Sequence, residues 1–255
     1  MTIALARRRR PPDRWRDRLS WLAALLALAA MVLLVAGPLG WRIGLWHFRF
    51  AFSYLMPWAA YCGLAAAAVA LVALAVSRGL GRRLAVGIVA FVIGAGIAYV
   101  PWQFDRLRGI VPPIHDVTTD PDNPPAFAAA AALRKAQDLN TTDYDAKLAE
   151  QQRRAYPELA PILLDVPPPQ AFDRALETAK RLGWKITETD PAAGRIEATE
   201  TSRWFRFVDD IVVRVAPAEK GSRIDLRSSS RVGRSDFGVN AKRIGRFVDA
   251  INKGP

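Results

Sequence analysis

Three stretches of this chain, 19–36, 53–76 and 84–104, are almost wholly apolar and contain no Asp, Glu, Lys or Arg. Each approaches or exceeds the ~20 residues that a helix needs to cross a bilayer. Lipid cannot satisfy free backbone groups, so an isolated crossing segment must be helical. The first stretch could be read as a signal peptide, with Arg7, Arg8, Arg9 and Arg10 as its charged start. Its apolar run exceeds the ~7–15 residues of such a segment, and no Ala-x-Ala site follows. The two later stretches would anchor the chain in either case.

Charge follows the same division. Residues 1–104 hold 12 of the 36 Lys+Arg but only 2 of the 24 Asp+Glu, whereas residues 105–255 are nearly balanced. The basic tail 1–18 and the loop between the second and third stretches carry ten arginines (Arg7, Arg8, Arg9, Arg10, Arg14, Arg16, Arg18, Arg78, Arg82, Arg83). The opposite side carries four: Arg42, Arg49, Arg106 and Arg108. The positive-inside rule then puts the tail in the cytoplasm and residues 110–255 across the membrane. Ala- and Arg-rich usage suggests a Gram-negative host, which makes the expected location the bacterial inner membrane with a periplasmic domain. A soluble enzyme is excluded. Nucleic acid is not an expected partner, because the folded half lacks a basic footprint. Cys62 is the only cysteine, so there is no disulfide framework. Trp15, Trp21, Trp41, Trp46, Trp58 and Trp102 lie mostly near span ends, as interfacial anchors do. Ala90, Gly94 and Ala98, with Gly63 and Ala67, offer smooth faces for packing the bundle. A transport path is disfavoured without ionisable groups in the spans.

The second half predicts an α+β domain. A proline-rich segment, 111–125, leaves the membrane extended, and 126–156 reads as two short helices interrupted at Asn140, Thr141 and Thr142. Phe172, Ala175, Leu176, Ala179 and Leu182 have helical spacing, with Gly183 as a stop. Four strand-like runs follow, at 184–189, 195–201, 203–215 and 223–232. A last helix over 241–252 carries Ile244, Phe247, Val248 and Ile251 on one face, with Asn240 as its N-cap. Helices packed on one face of an antiparallel sheet of about four strands is the expected architecture.

Strand alternation sorts the charges. Asp210, Arg214, Arg227 and Arg231 fall on one sheet face, either as cross-strand ion pairs on a solvated surface or as part of a binding site. Asp209 falls on the apolar face, where a carboxylate needs a partner. Lys242 and Arg243 stand in the first turn of the last helix, where the macrodipole favours anions. With Arg231 and Arg234 nearby, free N–H groups there would suit a carboxylate or phosphate. The competing reading has Asp236 with Asp209 or Asp210 neutralising these cations internally. No nucleophile motif, P-loop or dinucleotide fingerprint is present, and His47 and His115 are too few for zinc. No cofactor or metal is expected.

The runs IHDVTTDPDNPPAF (114–127), QQRRAYPELAPILL (151–164), RFVDDIVVRV (206–215) and DLRSSSRVGRSDFGVNAKRI (225–244) resemble the bacterial family catalogued as domain of unknown function 1499. The resemblance covers about 110–251. It implies a single envelope-associated domain in which 114–125 belongs to the fold, and it carries no activity. The expectation is therefore an exported domain that binds an anionic lipid, an envelope polymer or another membrane protein. Arg227, Arg231, Arg234, Lys242 and Arg243 would hold the charge, supported by Asp209, Asp210 and Asp236. Alternatives are a hydrolase with Asp209 or Asp210 as general base, and a structural subunit of a membrane complex.

Overall fold

A computed structural model describes residues 14–77, 81–137 and 139–254. Arg7, Arg8, Arg9, Arg10 and Arg78, used for the orientation argument, lie outside the described residues. The chain divides into two compact units, Met1–Phe104 and Asp105–Pro255.

In the first unit, α1 (Arg14–Arg42) is followed by a short turn α2 (Phe48–Phe50), which continues through a π-helical stretch (Ala51–Leu55) into α3 (Met56–Val76). The π-helical step ends two residues before Pro57, which has no N–H to donate to a regular helical ladder. Then α4 (Arg82–Ile110) begins. Among the described residues, three helices are long and apolar enough to cross a membrane. Their contacts are made by small residues: Ala23, Ala27, Ala66, Ala70 and Ala90 form one buried cluster. At Gly63 and Gly94 the two backbones nearly touch, since a Cβ on either would fall 2.7 or 2.5 Å from the other's carbonyl oxygen. Ala67 and Ala98 border the same contact. Leu25, Leu28, Val32, Leu64 and Val92 point outward, as in helices whose surroundings are lipid.

In the second unit, a sheet has the order β1-β6-β5-β4-β3, every pairing antiparallel. Its strands are β1 (Asp116–Thr118), β3 (Lys185–Asp190), β4 (Arg195–Thr201), β5 (Val208–Pro217) and β6 (Ser222–Ser230). A sixth, β2 (Ile162–Leu164), also pairs with β6, next to β1 on the same edge. The expectation of about four strands thus omits β1 and β2. Each is three residues long and set among prolines, too short for alternation to show. β1 lies in the segment read as extended, and 114–125 is part of the fold.

Two helices, α7 (Pro168–Arg181) and α8 (Val239–Asn252), cover one face. Phe172, Ala175, Ala179, Ile244, Phe247 and Ile251 meet Ile196, Ile211, Val213, Ile224 and Leu226 in the main core, where Trp184 stacks on Phe247 at 5.3 Å. Gly183, at φ 78°, ends α7 as the sequence predicts. The other face is not bare. The 119–128 loop and α5 (Ala129–Ala136) lie over it, with Phe127 and Ala130 packed on Val212. A further helix, α6 (Lys147–Ala155), sends Gln152 to both backbone groups of Thr118.

Two local readings need correction. The strand expected over 203–215 begins at Val208, because 202–207 is a turn closed by Ser202 N–H on the Phe207 carbonyl, with Arg206 at φ 58°. Asn240 lies inside the first turn of α8, not at its cap. Gly238, at φ 80°, precedes the helix, and the Asp236 carboxylate accepts from the N–H groups of Gly238 (2.8 Å) and Asn240 (2.7 Å).

Candidate functional site

Register on the sheet places the charges. Glu197, Val212 and Arg227 stand opposite one another across β4, β5 and β6, with Thr118 of β1 beside Arg227. The next rung holds Thr199, Asp210, Ser229 and Asp116. These side chains project away from α7 and α8, beneath the 119–145 segment. Arg227 grips both oxygens of Asp116 from Nε (2.9 Å) and Nη2 (2.7 Å). Its guanidinium lies over the rings of Phe127 and Tyr144. Asp210 accepts from Arg134 Nε (2.7 Å) on one side and Arg231 Nη2 (2.7 Å) on the other. Asp120 and Asp225 share Arg214 and Arg223. Glu197 accepts from the N–H groups of Ala128, Ala129 and Ala130, capping α5.

Asp210, Arg214, Arg227 and Arg231 share this face, but only Arg231 pairs with Asp210, while Arg214 takes Asp225 and Arg227 takes Asp116, and the face is not solvated. Arg227 and Asp210 are each 2% exposed. The reason is the covering layer: an apolar Val212 in the middle of β5 draws Phe127 and Ala130 down over it. Removing one partner of such a pair typically costs ~3–5 kcal/mol, since the other charge stays buried and uncompensated.

Asp209 projects to the opposite face and finds its partner in Arg243, whose Nη2 donates at 2.7 Å. Arg243 also bonds Glu200, Asn240 and Ser228. Burial works against the Arg243 charge, but Asp209 and Glu200 outweigh it and raise its pKa. Burial also acts to raise the Glu200 pKa, yet the hydrogen bond and charge of Arg243, with Arg246, hold it below the ordinary 4.5. Asp236 is pushed up by burial, against the two backbone N–H groups it accepts. Its own carboxylate occupies the anion-favouring start of α8.

Asp209 and Asp210 thus point to opposite faces, each against a guanidinium, and share no space in which to act as a pair. Arg227 and Arg231 lie on one face and Arg243 on the other. Of the expected cations, Arg234 and Lys242 are exposed, and Arg231 keeps 17% of its side chain exposed beside Asp210. Among the described residues, no group of three His, Cys, Asp or Glu could hold a metal. Sequence reasoning passed over Arg134 and Glu197. Arg134 sits in an Ala-rich helix, and only the surplus of carboxylates facing β6 could have hinted at it.

Residues 116–251 match the family described as Protein of unknown function (DUF1499), just over half of the 255-residue chain. The chain belongs to this family. The match begins at β1 and ends on the last turn of α8, so the DUF1499 region coincides with the sheet, both covering layers and the whole ion-pair lattice. No curated protein matches the chain.

Proposed function

We propose that this DUF1499 protein crosses the bacterial inner membrane three times, with its N-terminus cytoplasmic and the sheet domain periplasmic, and that the domain binds an anionic ligand. One observation carries the binding reading. Arg227 and Arg243 are enclosed with carboxylates, while Arg234 and Lys242, at the β6–α8 junction, are exposed and make no ion pair among the described residues. Arg231 borders this junction and holds the loop to Asp210. Asp209, Asp210 and Asp236 fix the loop and the helix start, so that exposed cations are presented from a rigid frame. A preorganised cationic loop suits phosphate or carboxylate groups better than a flexible tail of equal charge.

The test is thermal unfolding of the full chain in detergent with inorganic phosphate or glycerol phosphate. An anion at ~100 times its dissociation constant stabilises a fold by ~2.7 kcal/mol. The expected result is a stabilisation that Arg234→Ala with Lys242→Ala removes. No stabilisation by either anion, or an equal one in the double variant, overturns the reading.

A further inference from the structure

The end of the sheet that carries Arg234 and Lys242 is also the end at which the chain arrives from the third apolar helix. Ser230 N–H donates to the His115 carbonyl (2.9 Å), Asp236 N–H to the Ile114 carbonyl (3.0 Å), and Asn240 Nδ2 to His115 again (3.0 Å). A Cβ placed on Gly238 would sit 3.5 Å from Val111 Cγ1. The apolar stretch ends near Phe104 and α4 stays helical to Ile110. At ~1.5 Å per residue, Val111 is then only about 10 Å past the end of that stretch. The headgroup region adds roughly 5–8 Å on each side of the hydrocarbon. Val111 thus follows the end of the apolar stretch by little more than the depth of that layer.

The loops at this end of the sheet have the composition of a membrane-facing surface. Segments 202–207 and 231–238, with the first turn of α8, hold Arg203, Arg206, Arg231, Arg234, Lys242 and Arg243 against one carboxylate, the buried Asp236. Arg203 and Arg206, like Arg234 and Lys242, are exposed and make no ion pair among the described residues. Trp204 is 54% exposed between the first two. Of the exposed large apolar side chains described in 105–255, Ile110, Trp204 and Val239 belong to this end, and only Leu163 lies elsewhere. The presentation is firm, because Phe205 is buried beneath the loop and stacks on Phe207 at 5.1 Å. The turns at the opposite end, 191–194 and 218–221, carry only Glu219 and Lys220 as charges.

We propose that this end of the domain rests on the headgroup layer of the bilayer its own helices cross, with Trp204 at headgroup level and Arg203, Arg206, Arg234 and Lys242 on the phosphates of anionic phospholipids. The inference rests on the reading above that the apolar helices span a membrane and that the β6–α8 junction takes an anion, and it names the anion. Tryptophan suits this depth because its ring is apolar and its N–H polar. Each cation brought to an anionic surface is worth about a fivefold change in the docked-to-free ratio.

The experiment uses the full chain in nanodiscs of phosphatidylcholine, with and without phosphatidylglycerol. A polarity-sensitive fluorophore is placed at Val239→Cys, or at Lys220→Cys as a control for the far end, both in a Cys62→Ala background. Quenching by nitroxide-bearing lipids is expected for the label at 239 and not for that at 220, stronger with phosphatidylglycerol and lost with Arg203→Glu, Arg234→Glu and Lys242→Glu together. Equal quenching at both sites, or quenching indifferent to the charge reversals, overturns the inference. No quenching at 239 while phosphate still stabilises the detergent-solubilised chain also overturns it and leaves a soluble anion as the ligand. Quenching at 239 without phosphate stabilisation supports the docking and removes the soluble anion.

Discussion

Arg134 Nε meets Asp210 at 2.7 Å with the arginine 1% exposed, and its Nη2 donates at 2.7 Å to the Ser229 carbonyl. One side chain from α5 thus ties β5 to β6 and holds the covering layer over the sheet. It also shares Asp210 with Arg231, so the buried lattice and the edge of the exposed cationic end meet at a single carboxylate.

Arg134→Leu is accordingly expected to destabilise the domain by about 3–5 kcal/mol, leaving Asp210 with one partner and the Ser229 carbonyl with none from this direction. Arg134→Lys should recover little of the loss. An ammonium is a point charge and cannot serve a carboxylate and a carbonyl through a planar fork. Denaturant unfolding of the full chain in detergent, read by far-UV circular dichroism, checks both. A Lys variant as stable as the parent would show that charge alone matters.

Stability should depend on pH in acid in two opposed ways. Burial tends to raise Glu200, but its ion pair with Arg243 prevails and its folded pKa lies below the ordinary 4.5. Its contribution is therefore complete above that value and is lost as pH falls through the folded pKa. Asp236 is raised by burial, so its folded state holds the proton more tightly than the unfolded chain. Its contribution is present below its ordinary 3.8 and is lost as pH rises through the folded value. Glu200→Gln should flatten the acid limb of a stability profile, and Asp236→Asn should remove the decline on the other side of about pH 4. Unfolding midpoints measured across this range decide it; unchanged profiles in both variants would contradict the account.

The hydroxyl of Tyr156 is buried with no hydrogen-bond partner among the described residues, close to where a Cβ on Gly238 would stand. Burial, reinforced by Asp236, lifts its pKa to about 12. A buried hydroxyl without a partner costs roughly 1–3 kcal/mol in desolvation. Tyr156→Phe should leave stability unchanged or raise it by up to ~1 kcal/mol, in contrast to the usual loss on deleting a bonded group. A clear fall in the melting temperature would mean that the hydroxyl is bonded in solution.

The three apolar helices, both helices of the main core and the four longer strands were legible because their patterns are long. Runs near twenty residues and alternation over six or more leave few alternatives. Asp209 was readable as a buried acid in need of a partner, and Arg243 supplies it. The covering layer was not legible. Its contribution to the core is essentially Phe127, Ala130 and the polar Arg134, which give no hydrophobic period. Nor were β1 and β2, whose stability comes from pairing with β6 across more than fifty residues of chain. The break at 202–207 was hidden by its own sequence, since Trp204, Phe205 and Phe207 all favour strands while the positive φ of Arg206 is set by the fold.

The pairing of β1 with β6 has a consequence for biosynthesis. Asp116 lies opposite Ser229, 113 positions later. At ~5–20 residues per second, ribosomal elongation separates the two by roughly 6–23 s. The first strand to be made therefore waits, unpaired, for nearly the last. Over that interval Asp116 has no Arg227 to answer it, and its carboxylate and the prolines around it keep the segment hydrated and unattractive to other nascent strands.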